Sequence, residues 1–284
     1  MNATNRSEIK ADVKGAANKA AYSPLMEALA RLGYGVRGLI YVVMGLLALD
    51  VALGKGGAVT DQKGAIAAIG RQPAGMVLLW VVLIGLVSYA LWGLIRAVMD
   101  PLRKGRDLKG LVSRGAYLIS AVSYALLILP TYGFISGAGS TAQSGAQNQQ
   151  SLASVMSKSW GPLAIGALGL IVIAAGLIQV YQGFNSSFDK QFKTYAMTAG
   201  EVKWATKLGR FGTATRGFIF ALIGVSLFLA ATQSNSSKSI GIDSALTSLL
   251  HQPYGVFLLG IAALGFIAFG VFSVLTGVWF RAKK

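Results

Sequence analysis

Three arginines in equivalent surroundings carry most of the chemistry this chain has to offer. Arg37 closes the stretch Arg31-Leu-Gly-Tyr-Gly-Val-Arg37-Gly38, which returns as Arg210-Phe-Gly-Thr-Ala-Thr-Arg216-Gly217 and, reduced, as Ser113-Arg114-Gly115. In each copy a basic segment gives way to about twenty apolar residues, so each arginine falls just inside an apolar run. Arg37 lies about six residues in, roughly 9 Å along a helix. A guanidinium so placed has three uses. It snorkels to lipid headgroups along its apolar stem, it ties down backbone carbonyls of a neighbouring unit, or it joins Arg114 and Arg216 in a ring that binds an anion or a lipid headgroup. Which use holds depends on whether the three point at a common axis or at lipid.

Other reactive residue types are sparse. The sequence holds a single histidine, His251, and no cysteine. That leaves no donor set of the usual His/Cys kind for a transition metal and no pair for bis-His haem ligation. The acids Asp61 and Asp243 fall on the same side as His251, but no spacing organises them as a triad. Asp50 and Arg96 are the remaining charges near the ends of apolar runs. Asp50 is placed toward the outside and Arg96 toward the inside, with Gln179 as the nearest match to Arg96 elsewhere. No Glu falls in any apolar run, which speaks against a proton-coupled pump. Gly33-x-Gly35-x-x-Gly38 formally matches a dinucleotide fingerprint, but no strand precedes it and Ala214 replaces the second glycine in the later copy. Helix packing is therefore its expected role. The expectation is a protein without catalytic residues, cofactor or metal.

The elements that must position the arginines follow from composition. The 284 residues are 54% hydrophobic and only 13% charged, with mean hydropathy +0.59; a soluble domain carries about 25% charged residues. Six runs are long enough to cross a bilayer as helices, near 34–54, 75–98, 113–135, 161–184, 212–232 and 255–280. They lack the period-two alternation of a membrane barrel. The formal charge of +16 raises the question of nucleic acid, but its distribution answers it. The three outer loops hold only Lys55, Lys63, Arg71, Lys158 and Lys238, and the remaining Lys and Arg lie on the other side. This asymmetry predicts both termini in the cytoplasm, with anionic headgroups as partners on that face and no nucleic acid. No cleavable signal peptide is visible in the polar first thirty residues.

The runs form pairs. After the first, Gln72-Pro73-Ala-Gly75 precedes the second; after the fifth, Gln252-Pro253-Tyr-Gly255 precedes the sixth; Gly161-Pro162 is the middle counterpart, its proline displaced. Each unit reads as helix, outer amphipathic turn, Gly/Pro punctuation, helix. Residues 24–32 read either as a short surface helix or as an extension of the first span. The middle outer loop from Ser136 to Ser151 is Gly/Ser/Gln-rich and flexible in character. Gly169, Gly176 and Gly183 recur every seven residues and keep one face of the fourth helix small. Aromatic residues near the run ends, including Tyr34, Trp80, Trp92, Trp160, Trp204 and Tyr254, read as interfacial belts.

Two spans per unit make the repeats parallel. The predicted fold is therefore all-α, with six transmembrane helices as three parallel two-helix repeats of pseudo-threefold symmetry. A polar tail covers 1–23, and the repeats cover 24–101, 108–188 and 201–281. These features resemble the bacterial three-repeat membrane family catalogued as domain of unknown function 1206, over about residues 25–281. The resemblance is specific in the first and third units and weaker in the second, which lacks the first arginine and the Gln-Pro. It implies the fold, the topology and a bacterial inner membrane, and no reaction. Two functions are expected from the residues. One is a scaffold or accessory subunit that packs against a membrane-protein partner or lipid. The other is a small channel or transporter with an axial, anion-selective path.

Overall fold

A computed structural model of the chain describes residues 24–100, 105, 107–137, 150, 152–185, 197–233 and 241–279. The polar tail 1–23, most of the Gly/Ser/Gln-rich loop, much of the basic segment between the fourth and fifth spans and the basic residues after 279 lie outside the described residues. The described chain is helical in long runs. In order these are α1 (Pro24–Ala52), α2 (Gln62–Gly70), α3 (Gly75–Met99), α4 (Leu108–Leu126), α5 (Ile128–Ile135), α6 (Gly161–Asn185), α7 (Ala199–Thr232), α8 (Ile242–Leu250) and α9 (Gly255–Val278). Six spans are long and apolar enough to cross a membrane, with α4 and α5 together making the third.

Local chemistry sets the helix ends. Asp61 caps α2 by accepting from the Gly64 N–H, Asp107 caps α4 by accepting from Gly110, and Thr198 with Glu201 forms a capping box at α7. The amphipathic turns between the two helices of the first and third units are true helices, α2 and α8, whose Ile66, Ile69, Leu246 and Leu249 are buried against the spans. Of the two readings for residues 24–32, the continuous one holds, since α1 runs unbroken from Pro24. The third span is broken at Leu127. Pro130 lacks the N–H that would bond back to Leu126, and the Leu127 N–H turns to Tyr124 O, 3.1 Å away.

The turn before each second helix is the same in all three units. Gly75 N–H donates to Gln72 O, Gly161 to Lys158 O and Gly255 to Gln252 O, each at 2.8 Å. Ala74 and Tyr254 sit in the left-handed region at φ 63° and 60°, which fixes the corner into α3 and α9. The displaced proline of the middle unit leaves this hydrogen-bond pattern intact, because no proline N–H takes part in it.

Packing follows the repeat. The opening helix of one unit lies against the closing helix of another: α1 on α9, α7 on α6, α4 on α3. A Cβ at Gly38 would sit 2.5 Å from Gly270 O, and one at Gly217 would sit 2.7 Å from Gly176 O. Gly45 meets Ala263 O at 2.7 Å and Gly224 meets Gly169 O at 2.8 Å. These pairs are the same contact made twice, and they show why Gly169, Gly176 and Gly183 recur in heptads. Within units, Gly33 lies on Tyr89 and Gly212 on Phe269.

The middle unit departs from this pattern. At Gly115, the counterpart of Gly38 and Gly217, an added Cβ meets nothing within 4 Å; α3 and α4 meet instead through Gly93 and Ala121. Its own two helices, α4 and α6, do not pack on each other as α1 packs on α3 and α7 on α9. The α6 span is accordingly only 17% buried, against 56% for α3 and for α9. The pseudo-threefold ring is open on this side.

Candidate anion-binding site

The site forms where α1, α3, α4, α7 and α9 converge, toward the end of the bundle at which α1 begins and α9 finishes. The α1–α9 glycine contacts rotate Arg37 inward. Its guanidinium carbon lies 4.4 Å from the Phe269 ring centroid and 5.4 Å from that of Tyr89, and its Nη1 donates to the Tyr89 hydroxyl. The α6–α7 contacts do the same for Arg216, whose guanidinium carbon lies 4.7 Å from the Phe220 centroid, 5.0 Å from Phe269 and 5.6 Å from Tyr41.

The third arginine of the cluster is Arg96 on α3, only 5% exposed. Its Nη1 donates to the Tyr34 hydroxyl at 3.1 Å. Its guanidinium carbon is 4.5 Å from the ring centroid of Tyr117 on α4 and 5.5 Å from that of Tyr89. Arg114, expected in the ring, is elsewhere. Its Nε donates to Ala97 O at 2.7 Å and its Nη2 to Val98 O at 3.0 Å. It thus satisfies carbonyls at the C-terminal end of α3, where a cation also meets the negative end of the helix dipole. The cause is the middle unit's different packing: with no glycine contact at Gly115, α4 presents Tyr117 and Tyr124 to the cluster in place of an arginine.

The electrostatics are one-sided. The ion pairs among the described residues, Arg31–Glu27 and Lys55–Asp50, both lie away from the cluster. Among the described residues the three guanidiniums are faced by aromatic rings and phenols, and no ion pair joins a carboxylate to them. Cation–π contacts return about 0.5–2 kcal/mol each, less than the several kcal/mol that removing an ion from water costs. Four N–H groups, Arg37 Nε, Arg96 Nε, Arg96 Nη2 and Arg216 Nε, are buried with no acceptor among the described residues. The Tyr124 hydroxyl is buried in the same condition.

Arg96 is the residue that sequence reasoning missed. Counted from the shared turn glycines Gly75, Gly161 and Gly255, its counterparts are Gln182 and Thr276, not Gln179. All three positions are polar near the end of an apolar helix, and that was the available signal. Trp92 and Tyr34, expected at an interface, lie inside: Trp92 is 2% exposed and Tyr34 bonds Arg96. Trp80, Trp160, Trp204 and Tyr254 are exposed. Asp50 pairs with Lys55 at 3.6 Å. His251 is exposed, with Nδ1 2.8 Å from Thr247 O. Gly33 and Gly38 serve the packing of α1 on α3 and on α9.

Fold and site define a multi-pass helical membrane protein with an arginine–aromatic core. The chain belongs to the family described as Domain of Unknown Function (DUF1206), which it matches in three segments, residues 32–100, 115–186 and 211–279. It is also 31% identical over 256 residues to the "Uncharacterized protein YxxB" of Bacillus subtilis (strain 168), across 90% of this chain and 92% of that protein. No solved structure matches it.

Proposed function

We propose that this protein binds the phosphate or carboxylate headgroup of an anionic amphiphile in the cluster of Arg37, Arg96 and Arg216. One observation carries the reading: three guanidiniums converge inside a span region, and four of their nitrogens lack an acceptor among the described residues. A buried donor left unpaired costs about 1–3 kcal/mol. An oxyanion brings several lone pairs and the missing negative charge, and guanidiniums match its geometry well. The open side between α4 and α6 lets acyl chains remain in the bilayer while the headgroup reaches past Tyr117. We further place the protein in a bacterial inner membrane with both termini cytoplasmic, which the Lys/Arg distribution supports and which would set the cluster in the inner leaflet.

The test is native mass spectrometry of the detergent-purified chain in mixed phosphatidylglycerol and phosphatidylcholine. Selective retention of phosphatidylglycerol, lost in Arg96→Gln, is expected. Equal retention of both lipids would sink the reading.

A second reading is an accessory subunit, favoured by the same open side: a partner's helix seated between α4 and α6 would close the ring. Pull-down from native membranes would then yield a stoichiometric membrane protein.

A further inference from the structure

At the opposite end of the bundle, away from the arginines, α7, α8 and the segment after α1 line an open pocket of about 550 Å³. Its wall is unusual in offering acceptors. Thr247 Oγ1 donates to Asp243 O at 2.8 Å and Ser244 Oγ donates to Gly241 O at 3.1 Å. Both hydroxyl protons are therefore committed to the α8 backbone, and the oxygens present lone pairs. Asp243 lines the same cavity, and its Oδ1 is buried with no donor among the described residues. Ser226 and Ser248 complete the polar part, and Val59 and Leu229 supply an apolar part.

A carboxylate in this position is costly to the folded chain. Burial pushes the Asp243 carboxyl above the usual carboxylate range; the backbone N–H groups of Ser244 and Asp243 pull the other way, and the Asp61 charge adds to the rise. Lys63 of α2 opposes it without forming an ion pair, the described pairs being Arg31–Glu27 and Lys55–Asp50. A pocket that presents lone pairs and a carboxylate with no ion pair among the described residues selects an occupant with positive charge and several N–H donors. The volume exceeds that of a single water or metal ion and leaves room for a short apolar stem against Val59 and Leu229.

We infer that this cavity binds a protonated primary amine, its ammonium on Asp243 Oδ1 and the hydroxyls of Ser244 and Thr247. The ammonium is either that of a free amine or the ethanolamine headgroup of a lipid. Two arms distinguish them, both with the full chain. In the first, nanodiscs of phosphatidylcholine are titrated calorimetrically with ethanolamine. In the second, native mass spectrometry compares retention of phosphatidylethanolamine with phosphatidylcholine. Saturable binding in one arm is expected, weakened tenfold or more in Asp243→Asn and unchanged in Asp50→Asn, whose carboxylate is exposed and outside the cavity. Circular dichroism of both variants reports that the helices remain. No saturable binding in either arm, or binding indifferent to Asp243→Asn, overturns the inference. Failure of the arginine site leaves this test untouched, because no residue is shared.

Discussion

Arg37 and Arg216, equivalent residues of the first and third units, place their guanidinium carbons 4.4 and 5.0 Å from the centroid of the same Phe269 ring. Two like charges thus lean on one aromatic side chain, and Phe269 itself is only 2% exposed. Replacing Phe269 with Ala removes a core ring and a surface both arginines share. We expect a loss of about 3–5 kcal/mol, read as reduced resistance to denaturant in detergent. Phe269→Tyr, which keeps the ring, should lose far less.

Arg96 and Arg114 separate binding from structure. Arg96→Gln removes a charge from the cluster and should cut anionic-lipid retention about tenfold. Arg114→Gln removes two bonds to carbonyls near the α3 end, which are only partly covered. It should cost stability of about 1–3 kcal/mol and leave lipid retention as it was. Parallel thermal unfolding and native mass spectrometry of the two variants read both effects.

The glycine contacts predict an asymmetry among equivalent positions. A methyl at Gly38 or Gly217 meets backbone carbonyl oxygen at 2.5 or 2.7 Å, whereas one at Gly115 meets nothing within 4 Å. Gly38→Ala and Gly217→Ala should each destabilise by about 1–3 kcal/mol through overpacking. Gly115→Ala should be neutral or raise stability by up to about 1 kcal/mol, because Ala favours the helix over Gly. Thermal unfolding of the three purified variants makes the comparison, and equal losses at all three would contradict the packing.

Asp243 gives a pH signature. Its carboxyl is raised above 3.8 in the folded chain, so the folded state holds the proton more tightly than the unfolded state. Between the unfolded value and the raised folded value, the folded state binds more protons, and stability falls as pH rises. Asp243→Asn removes that loss. The variant should melt higher than the parent at neutral pH, and the gap should close as pH drops below about 3.8, where both states are protonated. Melting curves across that range decide it.

Much of the architecture was legible in the chain. Hydropathy located the six spans, and the recurrence of Arg37-Gly38 as Arg216-Gly217 gave the repeat and its parallel sense. The site was legible only in part. Which face of a span turns inward depends on the neighbour it packs against, and Gly38, Gly217 and Gly115 look alike in sequence while only the first two are in close contact. Arg114 was therefore grouped with Arg37 and Arg216 although its helix packs differently. Arg96 stands out in the sequence only as a charge near a span end, because three residues before the end of α3 it looks like an ordinary helix-end residue. Its burial comes from Tyr34, Tyr89 and Tyr117 on three separate helices, a convergence that linear spacing does not encode.

Spatial order and covalent order part company around the open side. The helices α4 and α6 are joined through α5 and a loop yet stand apart, while α1 and α9, at opposite ends of the described chain, interlock through Gly38 and Gly270. Between α5 and α6, Leu152 packs on Leu227, Ala230 and Ala231 of α7, so that part of the chain is held by the third unit and not by α4. Two separately made pieces, divided between α5 and Leu152, are expected to recognise each other across the α1–α9 seam and reassemble around the same arginines. The molecule is fastened across a seam between helices that lie far apart in the chain.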